Sequence, residues 1–238
     1  MKSHYSSNRP QIIVSPEELD HANNPSPRLP VAIVCDTSAS MIGEPLAALR
    51  HGLQGLFSEI VADPLAQLRC DPSVWTFGGS VNQVMPWENE MVGRTPIPEL
   101  VASGNTPLGL AVTTANTAIK ARQRVYQASA IPSYRPWFVL FSDGAPTDLW
   151  HHAAHDLRRQ VTEHGWNIVS VGVGPNADLE CLRAFSPDRP PLHIRDSSST
   201  QSFAEFFRWL SVGIRGTSRS ATSQQPAMPP LPSCIDIA

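Results

Sequence analysis

No apolar run in the sequence approaches the ~20 residues that a membrane-spanning helix needs, and residues 1–30 lack the apolar stretch of a secretory leader. Both absences point to a cytoplasmic protein with no membrane partner. The four cysteines, Cys35, Cys70, Cys181 and Cys234, are too scattered for the paired spacing of a zinc ribbon and read as free, reduced thiols. Charge is also scarce: 16% of residues are Asp, Glu, Lys or Arg, the net charge is −3 and the pI is about 6.2. With no basic stripe, the chain has no electrostatic footprint for DNA or RNA, which removes nucleic acid as a partner. No Gly-x-Ser-x-Gly elbow occurs, which removes a serine hydrolase of the α/β type.

What the chain does have is a sufficient apolar fraction, 41% of 238 residues, to bury one substantial core. The ends contribute little to it. Residues 1–28 are rich in Ser, Asn, Pro and His, with Ile12, Ile13 and Val14 as the one apolar cluster, and read as a loosely held extension. From Gly216 onward a Ser/Gln/Pro-rich tail is expected to bury little, its Pro-Pro-Leu-Pro stretch favouring an extended polyproline-like conformation. A single domain over residues 29–215 remains.

Inside that domain short apolar runs alternate with longer amphipathic ones, the pattern of parallel strands joined by crossover helices. Strands are expected at Leu29–Cys35, Ser73–Phe77, Val81–Met85, Trp137–Phe141, Asn167–Val173 and Leu192–Ile194. Helices are expected at Leu46–Val61, Pro107–Val125, His152–His164, Asp178–Phe185 and Phe203–Ile214. Gly78, Gly79 and Ser80 separate the second and third strands as a hairpin, so one sheet edge should be antiparallel. The fold class is therefore α/β, a doubly wound and mostly parallel sheet with helices on both faces. In such sheets ligands sit beyond the carboxyl ends of the strands, which directs attention to the loops after Cys35, before Pro107 and after Phe141.

Each of those loops carries short oxygen-bearing side chains. Asp36-Thr37-Ser38-Ala39-Ser40 sets one carboxylate and two serines at alternate positions, where they can converge on a hard cation or can simply cap the next helix. Thr106-Pro107 is also an ordinary helix start, and Asp143-Gly144 an ordinary strand-ending turn. Taken together, Asp-x-Ser-x-Ser, then Gly-Asn-Thr-Pro, then Ser-Asp-Gly, in that order on an α/β pattern, resemble the von Willebrand factor A family and its metal-ion-dependent adhesion site. The resemblance covers residues 29–215. It implies that Ser38 and Ser40 are direct hydroxyl ligands, that Asp36 acts mostly through bound water, that Thr106 engages variably and that Asp143 is a second carboxylate at the metal. It also implies a binding module and not an enzyme, with Mg²⁺ as the cation (Mn²⁺ or Ca²⁺ as substitutes) and an Asp or Glu of a protein partner completing its shell. The opening from Leu29 to Pro45 is most similar to bacterial TerY-type proteins of tellurite-resistance loci, which implies a PP2C-type phosphatase and a Ser/Thr kinase as partners.

Residues around the metal, namely Met41, Gly43 and the segment from Asp143 to Trp150, are expected to shape partner choice, with Trp150 exposed at the centre of the interface. Rival readings are a phosphoryl-transfer enzyme using Asp36 as nucleophile and a nucleotide site at Gly172-Val173-Gly174-Pro175-Asn176-Ala177. The first would want a second acid where Ser38 stands, and the second follows a late strand where the dinucleotide fingerprint follows the first. His151, His152 and His155 lack the glutamate of a zinc-protease pattern and read as solvated side chains.

Overall fold

The computed structural model describes residues 26–87, 97–143, 145–186, 188–220 and 228–237. In chain order the strands are β1 (Leu29–Asp36), β2 (Cys70–Gly78), β3 (Ser80–Met85), β4 (Trp137–Ser142), β5 (Asn167–Val173), β6 (Leu192–Ile194) and β7 (Asp236–Ile237). The helices are α1 (Glu44–Val61), α2 (Pro64–Arg69), α3 (Leu108–Ala128), α4 (His151–His164), α5 (Leu179–Phe185) and α6 (Thr200–Arg219). One seven-stranded sheet results, ordered β3-β2-β1-β4-β5-β6-β7. β2, β1, β4, β5 and β6 run parallel, and β3 forms the expected antiparallel edge.

Alternation along β1 decides how the two faces are covered. Leu29, Val31, Ile33 and Cys35 join the cluster that packs against α1 and α6, whereas Ala32 and Val34 join the cluster built with α3, α4 and α5. Because both faces are covered, all eight residues of β1 are buried, which is why the strand reads as one continuous apolar run closed by a single acid. The α1/α6 face is filled by aromatics: Phe141 lies 5.3 Å from both Phe206 and Phe207, edge-on to the first and stacked with the second. On the other face the buried Arg122 guanidinium of α3 is held by Asp71 of β2 at 2.7 Å, and the Tyr126 hydroxyl donates to the same carboxylate.

The C-terminal region departs from expectation. α6 does not stop near Ile214 but continues to Arg219, held by the Thr217 hydroxyl, which accepts from Trp137 Nε1 at 3.2 Å and donates to the Gly213 carbonyl. The tail expected from Gly216 to bury little has one buried residue among 228–237, Ile235, but it makes defined contacts with α6. Trp209 Nε1 donates to the Pro229 carbonyl, and Met228 lies against Gly213. Residues 236–237 then add β7 antiparallel to β6, so the second sheet edge is covered as well. The N-terminal extension lies outside the described residues apart from Ser26, Pro27 and Arg28. All four cysteines are free, and no described helix is long and apolar enough to cross a membrane.

Candidate functional site

The sheet brings the first and third candidate loops together by register. β1 and β4 are neighbours with Cys35 opposite Phe141, so Asp36 and Ser142 leave the sheet side by side, at the point where strand order reverses direction. Asp36 is fully buried. One of its carboxylate oxygens accepts from the Ser38 backbone N–H at 2.8 Å and the other from the Ser142 hydroxyl at 2.8 Å. Burial pushes its carboxyl up to about 6; the hydrogen bonds from Ser38 and Ser142 oppose that rise, and the nearby Asp143 carboxylate adds to it.

Ser40 stands on a single turn of 3-10 helix, Ala39–Met41, and Ser38 is the extended residue that immediately precedes it. Their hydroxyl oxygens are 3.0 Å apart, and Ser38 Oγ is 3.5 Å from Asp143 Oδ1. Neither serine caps a helix: α1 starts from Gly43 with no side-chain cap, and the short 3-10 turn receives none from Ser38. Thr106 does not cap α3 either, since that helix begins from Pro107 without a side-chain cap. The ordinary roles open to these hydroxyls are thus ones they do not perform.

Asp148 takes over the start of α3. Its two carboxylate oxygens accept from the backbone N–H groups of Gly109 and Leu110 at 2.9 and 2.8 Å, supplying from a different loop the acceptor that the helix end lacks. Thr147 completes the clasp: its N–H donates to the Thr106 carbonyl and its hydroxyl accepts from the Thr106 N–H. The loop of Thr106 is tied to the other side too, because Gly104 accepts from Ala39 N–H and Ser103 donates to the Thr37 carbonyl. That crossing requires glycine. A methyl at Gly78 would collide with the Thr37 and Ser103 carbonyls, and Gly104, at φ 70°, passes so close to Gly79 that a methyl would come within 2.6 Å of its Cα.

Asp36, Ser38, Ser40 and Asp143 therefore form one hydrogen-bonded group, and Thr106 is fixed by its backbone to Thr147 on the loop that follows Asp143. Thr147 and Asp148 fall in the segment expected to shape partner choice, but their bonds to Thr106 and to the start of α3 were not expected, and Ser142 was read only as part of the Ser-Asp-Gly run. Two expectations about the rim need correcting. Met41 is buried, so Ile42, 63% exposed, is the apolar residue that this loop presents. Trp150 is half-buried, stacked on His151 and packed near Phe185, whereas Leu149 beside it is 93% exposed. At the glycine run, a methyl on Gly172 would collide with Leu179 and Ala177, and Gly174 N–H donates to the Ile194 carbonyl, so these glycines serve close packing of strand and helix.

The family model of the von Willebrand factor type A domain (VWA) matches residues 31–208. The chain belongs to that family. No curated protein sequence matches this VWA domain. Among solved structures it is similar to proximal thread matrix protein 1 of the mussel byssus (TM-score 0.58, 13% identity, 80% of this chain and 48% of that one). It is also similar to the manganese-loaded TRAP protein of Plasmodium vivax (TM-score 0.51, 14% identity, 76% of this chain and 73% of that one). A form of the mussel protein with a zinc-occupied MIDAS motif matches at TM-score 0.53 and 12% identity, over 80% of this chain and 48% of that one. The chain spans about half the length of the mussel protein. At these identities the likeness is one of fold.

The donor set of this VWA domain suits a hard divalent cation. Octahedral Mg²⁺ at its usual bond length sets neighbouring ligand oxygens about 3.0 Å apart. The Ser38 and Ser40 hydroxyls have that separation before any ion is considered.

The raised carboxyl of Asp36 has a consequence for the metal-free chain. The folded state holds a proton that the unfolded chain releases, so this contribution to stability is full below the ordinary value of 3.8 and is lost as pH rises through about 6. Denaturant unfolding in chelator across that interval should show the loss in wild type and a flatter profile in Asp36→Asn; parallel profiles would refute the assignment. Asp148→Ala should lower stability by about 1–2 kcal/mol, as loss of a helix cap does, measured by urea unfolding. A change under about 0.3 kcal/mol would mean that water replaces the clasp without loss.

Proposed function

We propose that this VWA domain is a cation-dependent protein-binding module in which Asp36, Ser38, Ser40, Thr106 and Asp143 hold Mg²⁺. The observation that carries the reading is the convergence of two serine hydroxyls and two carboxylates at the switch point of the sheet, with the hydroxyls free of helix-capping duty. Asp36, with both oxygens already engaged by Ser38 and Ser142, orients the group from beneath, and it meets the cation mostly through water. Two carboxylates only balance a divalent ion, so the bound metal stays receptive to an anionic oxygen from outside, and a partner Asp or Glu supplies it. The zinc-occupied MIDAS motif of the mussel protein and the manganese loaded on the TRAP protein support a divalent cation in a domain of this fold. The chemistry supplied on this reading is binding.

The run from Leu29 to Pro45 supports a narrower placement beside bacterial TerY-type proteins. On that reading the domain works in the cytoplasm as a scaffold or regulator, with a PP2C-type phosphatase and a Ser/Thr kinase as its partners.

Isothermal titration with Mg²⁺ and Mn²⁺ tests the metal. Wild type should bind one equivalent, Asp36→Ala should bind none, and Ser38→Ala should bind about tenfold more weakly or worse. Pull-down from native lysate should retain the phosphatase or kinase with metal and release it with chelator. Cation affinity unchanged in Asp36→Ala would remove the site, and partners that ignore chelator would move the function to another surface.

A further inference from the structure

We infer that the pole around the site fits a protein segment in which one acidic side chain is flanked by large apolar ones, an inference that rests on the cation-dependent reading above. Four of the eight large apolar side chains exposed among the described residues stand on the three site loops or the helical turn that follows: Leu149, Val101, Ile42 and Leu110, at 93%, 71%, 63% and 42% exposure. The rest of the described surface, far larger, holds the other four.

These side chains are presented by rigid anchors. Met41 is fully buried between Ser40 and Ile42, so the first loop is pinned from below while Ile42 faces solvent. Leu149 follows Asp148, whose carboxylate is fixed on α3, and the backbone of Leu149 packs so closely on Gly109 that a methyl there would lie 2.7 Å from the Leu149 carbonyl. Leu110, the next residue of α3, donates its own N–H to Asp148. Leu110, on the first turn of α3, and Leu149, on the loop before α4, therefore lie close together.

Charge determines what covers them. Residues 36–45, 101–110 and 143–150 contain Asp36, Glu44, Asp143 and Asp148 and no Lys or Arg. Without a cation this pole repels an acidic segment; with one it attracts a single carboxylate. An apolar surround excludes water from that contact and so strengthens an ion pair that bulk solvent would weaken. A segment that is only acidic leaves Leu149 and Ile42 in water, and one that is only apolar leaves the cation's outer position to solvent. The occupant combines both. A basic segment is the rival that the bare acidic pole would favour.

The test pans a phage-displayed random peptide library on the full chain with Mn²⁺ and, separately, with EDTA, then titrates the selected peptides. The expected Mn²⁺-selected peptides carry Asp or Glu with Leu, Ile, Phe or Trp within about two residues, the reach of one side-chain neighbourhood. The double substitution Ile42→Ser with Leu149→Ser should weaken them at least about tenfold while Mn²⁺ affinity stays within about twofold. The inference is overturned by acidic peptides without apolar flanks, by affinities indifferent to the double substitution, by basic peptides selected equally in EDTA, or by no selected peptide on a chain that binds Mn²⁺. A chain that binds no Mn²⁺ at all brings down the metal reading itself, so the two failures are told apart.

Discussion

A carboxylate buried at the end of β1 is the constraint around which this molecule is arranged. Asp36 is removed from water entirely, and an ionised carboxylate in that position is costly unless polar partners replace its hydration. The Ser38 N–H and the Ser142 hydroxyl replace part of it, and Asp143 nearby works in the opposite direction. The balance leaves a carboxyl that is reluctant to ionise alone. A divalent cation would relieve both the burial and the repulsion at once, which is a physical reason for such a group to stand there.

The rest of the site follows from keeping four stretches of backbone close to that carboxylate. Thr37 is hydrogen-bonded to Phe77 of β2 and to Ser103, Ala39 to Gly104, and Thr106 to Thr147. Glycine at 78 and 104 allows the backbones to cross, and Asp148 locks the start of α3 onto the loop that carries Asp143. The loops therefore act as one cross-linked cap over the strand ends, resting on a core that is buried on both faces of the sheet. Rigidity of this kind matters for a hard cation, which tolerates little error in the placing of its oxygens.

How much of this was legible in the sequence depended on whether the signal was local. β5 has the bounds its run implies, because a strand buried on both faces needs no alternation to be seen. α2 was missed although Asp63-Pro64 is a good helix start, since six residues are too few to show a period. The last turn of α6 was missed because Gly216, Thr217 and Ser218 are poor helix formers, and it is tertiary contact of Thr217 with Trp137 that holds it. β7 exists through pairing with a strand over forty residues earlier, which no window could reveal. At the site, the residue types and their order pointed to Asp36, Ser38, Ser40, Thr106 and Asp143. The bonds that Asp148 makes to the start of α3 and Thr147 to Thr106 were not legible because each joins two loops far apart in the chain, and Leu149 and Trp150 exchanged places because burial of adjacent residues is decided by what packs beneath them.

The central claim, that these five residues converge on one divalent cation, is tested most directly by anomalous X-ray scattering from crystals of the full chain grown with Mn²⁺. The account predicts a single manganese peak at bonding distance, about 2.2 Å, from the Ser38 and Ser40 hydroxyl oxygens, and absent from crystals of Asp36→Ala. A peak at the exposed His152, His155 and Asp156 of α4 instead, or none at the serines, would contradict it.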